Sequence, residues 1–150
     1  MIVPGQRIGL LRLDATVADL RRLFGPGHRW LFLAGAPPTS DAVHDYLMLY
    51  WHSVRAAATT LDGQIVASLV ILYDAGFPRY RTPDGLDFRT RRAHVLVVYG
   101  PPTAENALLP YGMRLIYDQR GIAFRFDGGG FLREINVFRP GRAGRIWHLL

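Results

Sequence analysis

Hydrophobic positions along this chain follow two different periods. Val17, Leu20 and Leu23 or Phe24 recur at helical spacing behind Thr16, a residue suited to capping a helix start. Asp19 falls three positions later, in a variant of the capping box, and Gly25-Pro26-Gly27 supplies the stop. A short helix is predicted there. Towards the C-terminus the period changes to two. Met113, Leu115 and Tyr117 alternate with other residues, as do Ile122, Phe124 and Phe126, then Ile135 and Val137, with Asp127 to Gly130 as a turn. That pattern predicts an antiparallel meander with one apolar face.

The first half is ambiguous between 41 and 57. Val43, Tyr46 or Leu47, Tyr50, Val54 and Ala57 fit a helical stripe capped by Ser40. The other reading makes 45–52, 54–61 and 65–73 three strands, with Asp62-Gly63 as a hairpin turn. Internal similarity favours strands. Tyr111 to Asp127 lies opposite Tyr46 to Asp62 at an offset of 65 (127 − 62), and Leu132 to Phe138 follows Val66 to Leu72 after one inserted residue. The same comparison assigns a helix to Ala93 to Tyr99, with Thr90 as its cap, although Val95, Val97 and Val98 favour a strand by propensity. Trp30 to Leu33 is read as an extra buried strand or an exposed hydrophobic loop.

The expected fold class is therefore α+β. Two repeats, about 8–74 and 80–139, each carry a short helix and a three-stranded antiparallel meander, with the helices packed on one face of the sheet and a short tail behind. One domain of 150 residues is expected. On the face away from the helices the second repeat would carry Arg114, Ile116, Arg125, Glu134 and Asn136, and the first Leu49, Trp51, Thr60, Ser68 and Val70. An apolar open face beside a charged one reads as a contact surface. Candidate binding residues are Trp30, Phe32, Leu49, Trp51, Arg114, Arg125, Glu134 and Asn136, the aromatic ones as anchors and the polar ones as a cluster able to grip an acidic partner or a nucleic-acid backbone.

The lead Gly85-Leu86-Asp87-Phe88, a short helix, Tyr99-Gly100-Pro101-Pro102 and then a β-meander, echoed by Leu13 through Gly25-Pro26, resemble one superfamily. It holds the small outer-membrane lipoproteins of the β-barrel assembly machinery and the β-lactamase inhibitor proteins, which are built from a tandem repeat of the same unit. The likeness covers roughly 8 to 138, and its motifs fix turns and helix ends. Asp14 and Arg89 stand where that superfamily usually has Gly, and the acylated Cys of the lipoproteins is absent. The resemblance implies an envelope or secreted protein that binds other proteins and catalyses nothing.

Composition adjusts this picture modestly. The chain has no Cys, which removes disulfides and thiolate catalysis, and no apolar run long enough for a membrane helix. All 18 basic residues are Arg and the net charge is +6, which keeps nucleic acid open as a partner, although the arginines are scattered. No cofactor is expected. His44 and His52 would stand about 26 Å apart on one strand, so no metal site is predicted from them. Gly128-Gly129-Gly130 lacks the following helix of a phosphate loop, and the pairs Asp84/Asp87 and Asp14/Asp19 lack a His or Ser companion. The expectation is a non-enzymatic protein-binding module, periplasmic or secreted if a signal peptide has been removed and cytoplasmic otherwise. The alternatives are an Arg-rich nucleic-acid binder or a small-ligand or enzymatic domain, and the oligomeric state is open.

Overall fold

Thr16 caps the first helix as the sequence implies. In a computed structural model describing residues 1–31, 47–60, 66–73, 80–107 and 112–146, its side chain accepts the Asp19 N–H and the Asp19 carboxylate accepts the Thr16 N–H, closing a capping box. Three two-residue strands come first, β1 (Ile2–Val3), β2 (Arg7–Ile8) and β3 (Leu11–Arg12), forming a small antiparallel sheet. Helix α1 (Val17–Phe24) leads into β4 (His28–Leu31), β5 (Leu47–Trp51), β6 (Ala56–Thr60) and β7 (Val66–Leu72). Helix α2 (Arg92–Tyr99) leads into β8 (Ala104–Ala107), β9 (Met113–Tyr117), β10 (Ile122–Phe126) and β11 (Leu132–Phe138). These eight strands make one antiparallel sheet in the order β4-β5-β6-β7-β11-β10-β9-β8.

The α+β architecture with antiparallel sheets is as expected, but four described strands follow each helix rather than three. The additions are the edge strands β4 and β8. Trp30 and Leu31 lie in β4, while Phe32 and Leu33 of that region lie outside the described residues. The 41–57 ambiguity resolves towards strands over 47–51 and 56–57; residues 41–46, with the Asp62-Gly63 turn and the Ser40 cap, lie outside the described residues.

Helix α2 forms against its own β propensity because its tertiary setting rewards it. Val95 and Tyr99, one helical turn apart, are buried in the core, and a fully buried side chain of this size contributes about 1.5–3 kcal/mol. Its N-cap is Arg91, not Thr90, and no side chain caps it. The Thr90 hydroxyl instead accepts the Asp87 N–H, closing the preceding turn. Arg91 stands where Thr16 stands before α1, since both helices are displaced by 75 residues (92 − 17).

One core joins both helices to alternate strand residues. Val17, Leu20, Val95 and Tyr99 meet Leu49, Trp51, Leu69, Leu115, Phe124, Ile135 and Val137. The small sheet adds Ile2, Ile8 and Leu11. It is tied down at Gly121, whose carbonyl accepts both the Gly5 N–H at 3.1 Å and the Phe138 N–H at 3.0 Å. The tail packs back as far as Ile146: Ala143, held through its N–H by the Asp118 carboxylate, covers Ile116, Ala123 and Phe138 on the other face.

Strand register corrects the sequence comparison by one residue. β5, β6 and β7 correspond to β9, β10 and β11 at a uniform offset of 66 (113 − 47, 122 − 56, 132 − 66). A slip of one exchanges the two faces of a strand. Leu49, Trp51 and Thr60 were assigned to the open face; the offset of 66 pairs them with Leu115, Tyr117 and Phe126 instead. Leu49 and Trp51 lie in the helix-side core. Ser68 and Val70 do share the face of Glu134 and Asn136.

Candidate functional site

The polar residues singled out from the sequence do come together. Arg125 stands directly opposite Arg114 on β9 and opposite Glu134 on β11, so three strands place them in one row. Glu134 Oε2 accepts from Arg125 Nε at 2.9 Å, and Oε1 accepts from Arg114 at 3.5 Å and from Asn136 Nδ2. Two guanidiniums and an amide thus share one carboxylate. The seam continues across the sheet to Thr59 and Ser68, whose hydroxyls are hydrogen-bonded to each other.

The seam is interior. Glu134 is 5% exposed and Asn136 2%, and Arg114 is buried with them; Arg125 alone is half-buried. It is therefore a buried ion-pair network in place of the accessible gripping surface expected. Such a network constrains register because a displaced strand would leave a charge unpaired in low dielectric.

The expected aromatic anchors fare differently. Trp51 is buried, its ring 6.3 Å from that of Phe24 and its Nε1–H given to the Gly25 carbonyl. Trp30 takes its place in β4 opposite Met48, and Phe32 lies outside the described residues. Leu49 is wholly buried. Neither Leu49 nor Trp51 is presented to a partner.

A second group, not picked out from the sequence, is accessible. Asp127 accepts the N–H groups of Gly129 and Phe131 through Oδ1, and this closes the turn before β11. The pairing of β10 with β11 then passes from Phe126↔Leu132 to Arg125↔Glu134, so Arg133 is the extra residue of a β-bulge. Bulges re-aim side chains. The Arg133 guanidinium lies 4.8 Å from the Tyr73 ring and 5.7 Å from the Phe131 ring, while its Nε binds Asp127 at 2.7 Å. Arg91, at the start of α2, stacks on Phe131 at 4.1 Å, and Tyr73 meets Phe88 edge-on. The result is a ridge in which cations and rings alternate, Arg91, Phe131, Arg133 and Tyr73, with the buried ring of Phe88 behind Tyr73.

Phe131 is 48% exposed and Tyr73 44%, and these two are the exposed large hydrophobics bridged by one guanidinium. Arg91 is exposed and has no carboxylate within ion-pair distance among the described residues. Arg133, and after it the backbone donors of Phe131 and Gly129, hold the Asp127 carboxyl below its ordinary range. The sequence signal for this ridge is weak because its members come from three separate segments.

Beneath α2, burial pushes the Tyr99 phenol up to about 12, and the nearby Asp84 carboxylate adds to the shift. Its ring is sandwiched in the stack with Tyr117 and Phe124 and covered by Arg120 at 4.6 Å. Among the described residues no group of three or more His, Cys, Asp or Glu side chains forms a metal-holding cluster. No described helix is long and apolar enough to cross a membrane. Comparison with known proteins finds no matching family model, no matching curated protein and no matching solved structure.

Proposed function

We propose that this chain is a non-enzymatic protein-binding module whose contact surface is the arginine–aromatic ridge. The observation that carries the reading is Arg91, an exposed cation without a carboxylate partner among the described residues, stacked on the half-exposed ring of Phe131. Interface centres favour such aromatic and Arg side chains, and stacking holds the guanidinium ready for a carboxylate at little further entropic cost. The partner is an acidic protein surface. With a net charge of +6 the whole chain steers such a partner inward.

The shared offset of 66 supports reading the chain as a duplicated helix-and-meander unit within one domain, as the superfamily resemblance implies, with an edge strand added to each copy. Apart from Tyr73, at the end of β7, the ridge belongs to the second copy. Its counterparts at that offset, Ala67 for Arg133 and Ile65 for Phe131, carry neither charge nor ring. The duplicated framework supports the fold, and the second copy carries most of the contact. The same resemblance favours a periplasmic or secreted location where a signal peptide has been removed.

Nucleic acid is the second reading, favoured by the interleaving of Arg with aromatic rings, which suits stacked bases of a single strand. A photo-crosslinking amino acid in place of Phe131 separates the two in lysate from the source organism. The protein reading expects one stoichiometric protein adduct, absent when the same group replaces exposed Leu23 on α1. Nuclease-sensitive adducts at position 131 would replace that reading with the second one.

A further inference from the structure

The pairing of β4 with β5 sets His28 opposite Tyr50, and His52 follows two residues later on the same side. The two imidazoles stand edge to face with centroids 4.9 Å apart, and both residues are exposed. Tyr50 closes the group from below, its ring 4.9 Å from that of His52. His28 lies in β4 and His52 just after β5, so this pair differs from His44 and His52 taken along a single strand. His44 lies outside the described residues.

We propose that His28 and His52 together bind a divalent late first-row metal ion, copper(II) or zinc. Imidazole is a preferred ligand for both. With metal–nitrogen bonds of about 2.0–2.1 Å, two rings on one ion have centroids roughly 5 Å apart, the spacing already present. Side-chain rotation suffices to turn a nitrogen of each ring to the shared ion, because both are at the surface. Each ring binds through a lone pair, so the ion displaces protons and affinity falls in acid. No third His, Cys, Asp or Glu completes the set among the described residues.

The test is calorimetric titration of the full chain with copper(II) or zinc alone, at neutral pH and at pH 5. His28→Gln and His52→Gln are each expected to weaken binding at least tenfold, and His94→Gln, an exposed histidine on α2, to leave it unchanged. Copper(II) should also broaden the imidazole resonances of His28 and His52 in the unaltered protein before those of any other histidine. This second readout does not depend on the variants folding. Unchanged affinity in both variants, or first broadening at another histidine, would overturn the proposal, as would the absence of binding by the unaltered protein.

Discussion

The indole N–H of Trp51 donates to the carbonyl of Gly25 at 2.9 Å, fastening the end of β5 to the end of α1. Gly25 closes the helix at φ 88°, with its own N–H given to Arg21, so its carbonyl is free to turn towards the sheet. The neighbouring Gly27, at φ 71°, leaves room for the indole: a Cβ there would stand 3.0 Å from Trp51 Nε1. Trp51 is thus a structural anchor.

Replacing it should cost stability first. Trp51→Ala removes a buried ring and a hydrogen bond and is expected to destabilise the fold by about 3–5 kcal/mol. Denaturant titration followed by circular dichroism measures this. A variant as stable as the parent would show that the side chain is not in the core.

The buried seam predicts strong non-additivity. Glu134→Ala removes the carboxylate that the Arg114 and Arg125 guanidiniums share in a largely buried site, at a cost of about 3 kcal/mol. Replacing Glu134, Arg114 and Arg125 together with Leu should recover most of that loss, because the carboxylate and both guanidiniums that share it leave together. A triple variant less stable than Glu134→Ala would contradict this account of the seam.

Positions 55 and 121 should respond in opposite senses. Both have positive φ, 53° at Arg55 and 67° at Gly121, and they correspond at the offset of 66. Arg55→Gly relieves left-handed strain, a gain of about 0.5–1 kcal/mol after the entropy of Gly is counted. Gly121→Ala puts a Cβ 2.2 Å from the Phe138 carbonyl oxygen, which forces the backbone to move. A loss of about 2–4 kcal/mol is expected, with the small sheet released because Gly5 shares that junction. Thermal unfolding of the two variants checks both signs.

Two titrations follow from the electrostatics. The Asp127 carboxyl titrates below its ordinary value of 3.8 in the folded chain. Its contribution is therefore present above that value and lost as pH falls through the lower folded one. Amide exchange at Gly129 and Phe131 should accelerate there relative to the core. The Tyr99 phenol is raised from 10.0 to about 12, so its contribution is present below 10 and lost as pH rises through about 12. Ultraviolet titration of the folded protein should show its ionisation near that upper value, and Tyr99→Phe should remove this step.

Much of the fold is legible in the sequence because local chemistry decides it. Thr16 and Asp19 announce α1, and the alternation from Met113 to Val137 announces β9 to β11. Edge strand β8 is not legible: Ala104-Glu105-Asn106-Ala107 has little β propensity, and pairing with β9 alone makes it extended. The face of Trp51 depends on a register of one residue, which a comparison of two divergent halves leaves undecided. Arg91, Phe131, Arg133 and Tyr73 are unremarkable residues separately. Only the β7–β11 pairing and the bulge at Arg133 bring them together.

The central claim is that the ridge is where a protein partner binds. The most direct test places a photo-crosslinking residue at Phe131, and separately at Leu23, and identifies the adducts by mass spectrometry. The account predicts one protein adduct at 131, weakened at least tenfold by adding Arg91→Glu, and no corresponding adduct at 23. Equal adducts at both positions, or an adduct at 131 indifferent to the charge at 91, would contradict it.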